Sequence, residues 1–71
     1  MIPNRLRLLR AERSLTQRNV ARGADIAERQ YQTYESGARA PSCETLIALA
    51  NFFNVSIDFL VGRTDKQEVN R

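Results

Sequence analysis

The sequence has no histidine and one cysteine among its 71 residues. A single cysteine forms no internal disulfide, and without histidine a structural zinc site lacks its usual ligands. No cofactor or metal is therefore expected. The commonest general acid–base group is missing too, and a chain this short rarely encloses a pocket of converging polar groups. Enzymatic activity is not expected. No apolar run approaches the roughly 18 residues a membrane span requires. The opening stretch MIPNRLRLLR holds no apolar core of a signal peptide. The expectation is a cytoplasmic protein with no membrane partner. Internal repeats, low-complexity tracts and a linker between domains are also lacking. With no staple available, packing has to supply the fold.

The composition, 42% hydrophobic and 27% charged, suits one small globular domain. Eleven Lys+Arg face eight Asp+Glu, a net charge of +3, and ten of the eleven cations are arginine. Arginine favours bidentate recognition of phosphates or bases over a merely solvated cationic surface. A charge this modest does not by itself separate a nucleic-acid binder from an ordinary basic protein.

Apolar spacing reads as five short helices, with no strand alternation anywhere. The first runs from about residue 3 or 4 to Glu12, with Ile2, Leu6 and Leu9 on one face and Arg5, Arg7, Arg10 and Arg13 largely off it. Thr16 caps a second helix to about Gly23, where Asn19 stands in place of the preferred Glu or Gln of a capping box. Val20, Ala21 and Ala24 face inward. A third helix spans about Glu28 to Glu35, with Tyr31 and Tyr34 inside and Gly37 closing it. Arg39-Ala40-Pro41 reads as an exposed connector. Ser42 caps a fourth helix from Cys43 to about Phe53, and Ser56 starts a fifth through Val61. Residues 1–62 form the expected domain; residues 63–71 read as a polar, frayed tail.

Two short helices joined by a tight turn need a support, here the other three. That support can hold one helix proud enough to enter a major groove about 12 Å wide. On the third helix the residues away from the tyrosines are Glu28, Arg29, Gln32 and Thr33, with Gln30 at the edge. Each suits a base edge: Arg for guanine, Gln for adenine, Glu for cytosine, Thr for several. The same face also reads as the solvated side of any surface helix, and the third helix alone does not decide between the two.

A longer string does. It comprises Leu15-Thr16-Gln17, Ala21, Ile26, Tyr34-Glu35-Ser36-Gly37, Pro41 and Phe53-Asn54-Val55-Ser56-Ile57-Asp58-Phe59-Leu60. At this spacing, over about residues 2–62, it closely resembles the phage Cro/repressor-like (XRE-type) helix-turn-helix family. The resemblance implies a lambda-repressor-like, all-α fold whose helix-turn-helix is made by helices 2 and 3. It implies base contact by Glu28, Arg29, Gln32 and Thr33. Phosphate contact is implied for Thr16, Gln17, Gln30 and Arg39. A salt bridge between Arg10 and Glu35 is implied as well, either partly buried or exposed.

Three departures from the family pattern stand out. Asp25 occupies a turn position that usually holds glycine; aspartate tolerates the left-handed geometry better than most residues. Ala27 replaces the usual Ser or Thr cap. Glu28 adds a negative charge that suits the helix dipole but repels phosphate unless a cytosine amino group meets it. Cys43, in a first helical turn, is either a packing residue or redox-responsive. Arg5, Arg7 and Arg13 either flank phosphates or solubilise the first helix.

The expected partner is operator double-stranded DNA, bound by a homodimer acting as a transcriptional repressor of a prokaryote or phage. A regulatory protein partner is an additional expectation. Ile57, Phe59 and Val61 are the candidate dimer contacts, although the same residues would serve equally to finish the core. The rival class is a protein-binding module of antitoxin or adaptor type on the same fold.

Overall fold

A computed structural model describes residues 1–69. It contains α1 (Ile2–Glu12), α2 (Gln17–Gly23), α3 (Glu28–Ser36), α4 (Cys43–Phe53) and α5 (Ile57–Leu60), with no strand among the described residues. The fold is all-α. Helix α3 packs on α1 and α2, α5 packs on α1 and α4, and α2 meets α4. Leu6 and Leu9 of α1, Val20 of α2, Tyr31 of α3, Leu49 and Phe53 of α4 and Leu60 of α5 lie wholly inside. Burial of large side chains from all five helices supplies the main stabilisation.

Local chemistry starts and stops each helix. Ser42 and Ser56 cap α4 and α5, their hydroxyls accepting from the Thr45 and Phe59 amides. At α2 the capping box is complete. The Thr16 hydroxyl accepts from the Asn19 amide at 3.0 Å, and the Asn19 side-chain oxygen accepts from the Thr16 amide at 3.1 Å. Asparagine thus does what Glu or Gln does in the usual motif. Ala27, with no side-chain oxygen, leaves α3 uncapped.

Every helix is followed by a residue with left-handed backbone: Ser14, Asp25, Gly37, Asn54 and Gly62. Only two of these are glycine. The turn geometry therefore holds three residues carrying a Cβ in a region costing them about 1–2 kcal/mol each. Gly23 serves another purpose. It packs against the half-buried Phe52 of α4, and a Cβ there would overlap the phenyl ring.

Arg5, Arg7 and Arg13 each have a partner within the fold and do more than solubilise the first helix. Arg7 donates to the Glu35 carbonyl in the last turn of α3, and Arg13 donates to the Phe53 carbonyl that ends α4. Each satisfies an orphan carbonyl at the negative end of a helix dipole. Arg5 lies 4.3 Å over the Phe59 ring and pairs with Asp65 at 2.9 Å.

Two expectations change. Pro41 of the supposed exposed connector is buried. Phe59, a dimer candidate, is 2% exposed and belongs to the core, closed over by Arg5. A side chain already enclosed within one copy has no surface to give a second. The segment after Gly62 returns across the domain. The Gln67 carbonyl accepts from the Ser56 amide at 2.9 Å, and the Gln67 side chain donates to Glu12 at 3.1 Å. Residues 70 and 71 of the expected tail lie outside the described residues.

Candidate nucleic-acid interface

The inner face of α3 carries Tyr31, Tyr34 and Glu35, all buried. At about 100° per residue, the side opposite is the stripe Arg29, Gln32, Thr33 and Ser36, flanked by Glu28 and Gln30. Buried residues therefore determine which side of α3 faces out. Ser36 extends this stripe by a turn, because the helix runs one residue beyond its expected end.

Beneath that surface an ion pair joins three helices. Arg10 Nε donates to Glu35 Oε2 at 2.6 Å and Arg10 Nη2 to Oε1 at 3.1 Å, a bidentate fork between α1 and α3. Arg10 Nη1 also donates to the Leu15 carbonyl at 3.2 Å, and Gln17 Nε2 of α2 donates to Glu35 Oε1 at 3.3 Å. Burial alone would raise the Glu35 carboxyl, but the Arg10 guanidinium first, then the neighbouring Tyr31 hydroxyl and Gln17, outweigh it and hold the pKa below its ordinary range. Arg10 is raised by the same partner. The Tyr31 hydroxyl is buried beside this pair without a hydrogen-bond partner. Burial first, and the adjoining Glu35 carboxylate second, push its pKa well above the ordinary value. The angle between α2 and α3 is thus held by a satisfied buried charge.

The outward residues differ in what they are free to do. Arg29 is exposed and makes no hydrogen bond or ion pair with the described residues. Gln32 is exposed and donates to Glu28 Oε2 at 3.4 Å. Thr33 is half-buried, and its hydroxyl donates to the Gln30 carbonyl at 2.6 Å. Glu28 also accepts from Arg18 Nε of α2 at 3.2 Å.

Among the phosphate candidates, Thr16 is exposed at the start of α2, while Gln17 gives one side-chain N–H to Glu35 and keeps its second N–H and its backbone amide. The Gln30 side chain donates to the Tyr34 hydroxyl at 2.6 Å. Arg39 is exposed in the loop after α3, its backbone amide donating to the Thr33 carbonyl at 3.2 Å. A shallow open depression lined by Arg10, Leu15, Thr16, Gln17, Arg18 and Glu28 lies where the start of α2 meets the leading end of α3. Ile57 is exposed and Val61 half-exposed around α5.

Sequence reasoning missed Arg18 and Ser36. Arg18 meets Glu28 from ten residues away on another helix, a pairing that no helical periodicity announces. No helix is long and apolar enough to cross a membrane. Among the described residues no three Asp, Glu, Cys or His side chains converge to hold a metal ion.

A Helix-turn-helix family model matches residues 6–60 of the chain. The cryptic phage CTXphi transcriptional repressor RstR of Vibrio cholerae is 38% identical over 65 residues, 92% of this chain and 59% of its own length. The transcriptional regulator ImmR of Bacillus subtilis is 33% identical over 66 residues, 93% of this chain and 52% of its own. A solved transcriptional regulator from Listeria innocua superposes with a TM-score of 0.81 at 35% identity, covering all of this chain and 64% of that one. The chain thus spans only about three fifths of the length of several relatives it matches.

Proposed function

Because this chain belongs to the helix-turn-helix family, we propose that it is a sequence-specific double-stranded DNA-binding transcriptional regulator. In this reading it represses by occupying an operator as a homodimer. The observation that carries the proposal is the outward stripe of α3, polar and accessible, on a helix whose other side is pinned by the Arg10–Glu35 fork.

Arg29 offers two parallel donors to guanine, Gln32 a donor and an acceptor to adenine, and the Thr33 methyl an apolar contact to thymine. Glu28 stands at the leading edge of the same surface. Thr16, the Gln17 amide, Gln30 and Arg39 meet phosphates on either side and set the register of the helix in the groove. The molecule measures 30 × 22 × 19 Å. Successive half-sites lie about 34 Å apart, so one copy cannot read two of them and a roughly palindromic site calls for two copies. Ile57 and Val61, with Phe59 removed to the core, are the surface residues around α5 proposed for that contact. Control by protein concentration or by a regulatory protein partner completes the reading, as does a cytoplasmic, nucleoid-bound location.

The test begins by selecting bound duplexes from a random pool, which reports the half-site and its spacing. Binding to the selected duplex should weaken at least about tenfold between 50 and 200 mM salt. Arg29→Ala should cost about 1–3 kcal/mol on the selected site and relax preference at one or two base pairs. Arg39→Ala should weaken all sequences alike and lower the salt slope by about 1. No duplex binding at low salt, together with salt-insensitive binding to a protein, would replace this reading with that of a protein-binding module.

A further inference from the structure

Glu28 is hard to reconcile with a DNA-facing surface if it acts alone. A carboxylate at the leading end of the groove-facing helix repels phosphate, and only a cytosine amino group would receive it. In the structure it does not act alone. Its two oxygens are divided between two helices: Oε1 accepts from Arg18 Nε of α2 at 3.2 Å, and Oε2 accepts from Gln32 Nε2 one turn along α3 at 3.4 Å. The carboxylate is therefore neutralised by a cation that lies outside the helix carrying the outward stripe.

The atoms used matter as much as the charge. Arginine has five N–H donors, and bonding through Nε leaves the four on Nη1 and Nη2. Those two nitrogens form the fork that matches guanine O6/N7 or two phosphate oxygens. Arg18 can thus hold Glu28 and a nucleotide at once. Its side chain is 68% exposed and that of Glu28 40%, so neither is committed to the core. Both line the depression where the start of α2 meets the leading end of α3, beside Thr16 and Gln17.

We infer that Arg18 is a specificity-determining residue of the DNA-facing surface, aimed by Glu28, so that Glu28 acts through Arg18 and Gln32 rather than on a base of its own. This rests on the DNA-binding reading above. Glu28 holds the Arg18 fork over the leading end of α3 and keeps it from settling on any passing phosphate. Arg18 in turn cancels the charge that would otherwise push the helix off the backbone. Each residue is harmful without the other, and that reciprocity makes the idea testable.

The experiment compares wild type, Arg18→Ala, Glu28→Gln and the double variant on the selected duplex and on a random duplex, across a salt series. Thermal unfolding of all four should agree closely, since exposed pairs contribute little to stability. Glu28→Gln should bind the random duplex several-fold more tightly and steepen the salt slope by about 1, the mark of a freed cation on phosphate. Arg18→Ala should lose about tenfold or more on the selected duplex, a loss of the size expected for one misread base pair. The double variant should recover part of that loss, so that the two effects are not multiplicative. If wild type binds the selected duplex but the two substitutions act independently and Glu28→Gln leaves the slope unchanged, the pairing is incidental and this inference fails by itself. If wild type binds no duplex even at low salt, the DNA-binding reading fails and takes this inference with it.

Discussion

Two arginine–glutamate pairs tie α3 to its neighbours, and they differ chiefly in how much water reaches them. In the Arg10–Glu35 pair the carboxylate side chain is 5% exposed, the fork is bidentate, and Gln17 supplies a further donor. In the Arg18–Glu28 pair the side chains are 68% and 40% exposed, and one bond of 3.2 Å joins them. The chemistry of the groups is identical. Burial makes the first an organiser of the helix-turn-helix, because an unpaired charge there has no solvent to fall back on. Exposure leaves the second nearly neutral for folding and free to meet a ligand.

The sharpest way to break this comparison is to remove the arginine from each pair. Arg10→Met should lower the unfolding free energy by about 3–5 kcal/mol in urea denaturation, since it strands the Glu35 carboxylate. Arg18→Met should cost under about 1 kcal/mol. Equal losses would mean that burial is not what separates the pairs.

The pH dependence of stability probes the buried pair from both sides. The Glu35 carboxyl is depressed below its ordinary 4.5, so its contribution is complete above that pH and is lost as the pH falls through the folded value. Tyr31 is raised above its ordinary 10.0, so its contribution is complete below that pH and fades as the pH rises beyond it. Melting temperatures recorded across pH should fall at both ends, and Tyr31→Phe should abolish the alkaline fall while leaving the acid one. An acid limb unchanged in Glu35→Gln would remove Glu35 from the account.

A smaller effect concerns the turn that joins the two helices. Asp25 holds a left-handed backbone at φ 59°, and Asp25→Gly should raise stability by about 1 kcal/mol without altering DNA preference. A destabilised variant would mean that the aspartate side chain, rather than the backbone geometry, secures the turn.

Much of the fold was legible because it is written in neighbouring residues. The bounds of α4, the serine caps at Ser42 and Ser56, and the inward set Leu6, Leu9, Val20, Tyr31 and Phe53 follow from periodicity and capping chemistry within a few residues. The turn chemistry was partly legible. Gly37 and Gly62 announce left-handed closures, whereas Ser14 and Asn54 do the same work without a residue type that demands it. Of the site, the polar stripe of α3 could be drawn from the tyrosine spacing alone.

What only the tertiary structure decided is the assignment of the charged side chains. By itself the sequence set out ten arginines and a helical pattern, and it left Arg5, Arg7 and Arg13 equally eligible for phosphate or for solubilising the first helix. Packing then committed Arg7 to a carbonyl 28 residues away, Arg13 to one 40 away and Arg5 to an aspartate 60 away. It left Arg29 and Arg39 without such partners. It also drew Phe59 inward from the surface proposed for a second copy. The reason is one of range. Backbone geometry and hydrophobic spacing act between near neighbours, whereas a long cationic side chain finds its partner only after distant segments have been brought together.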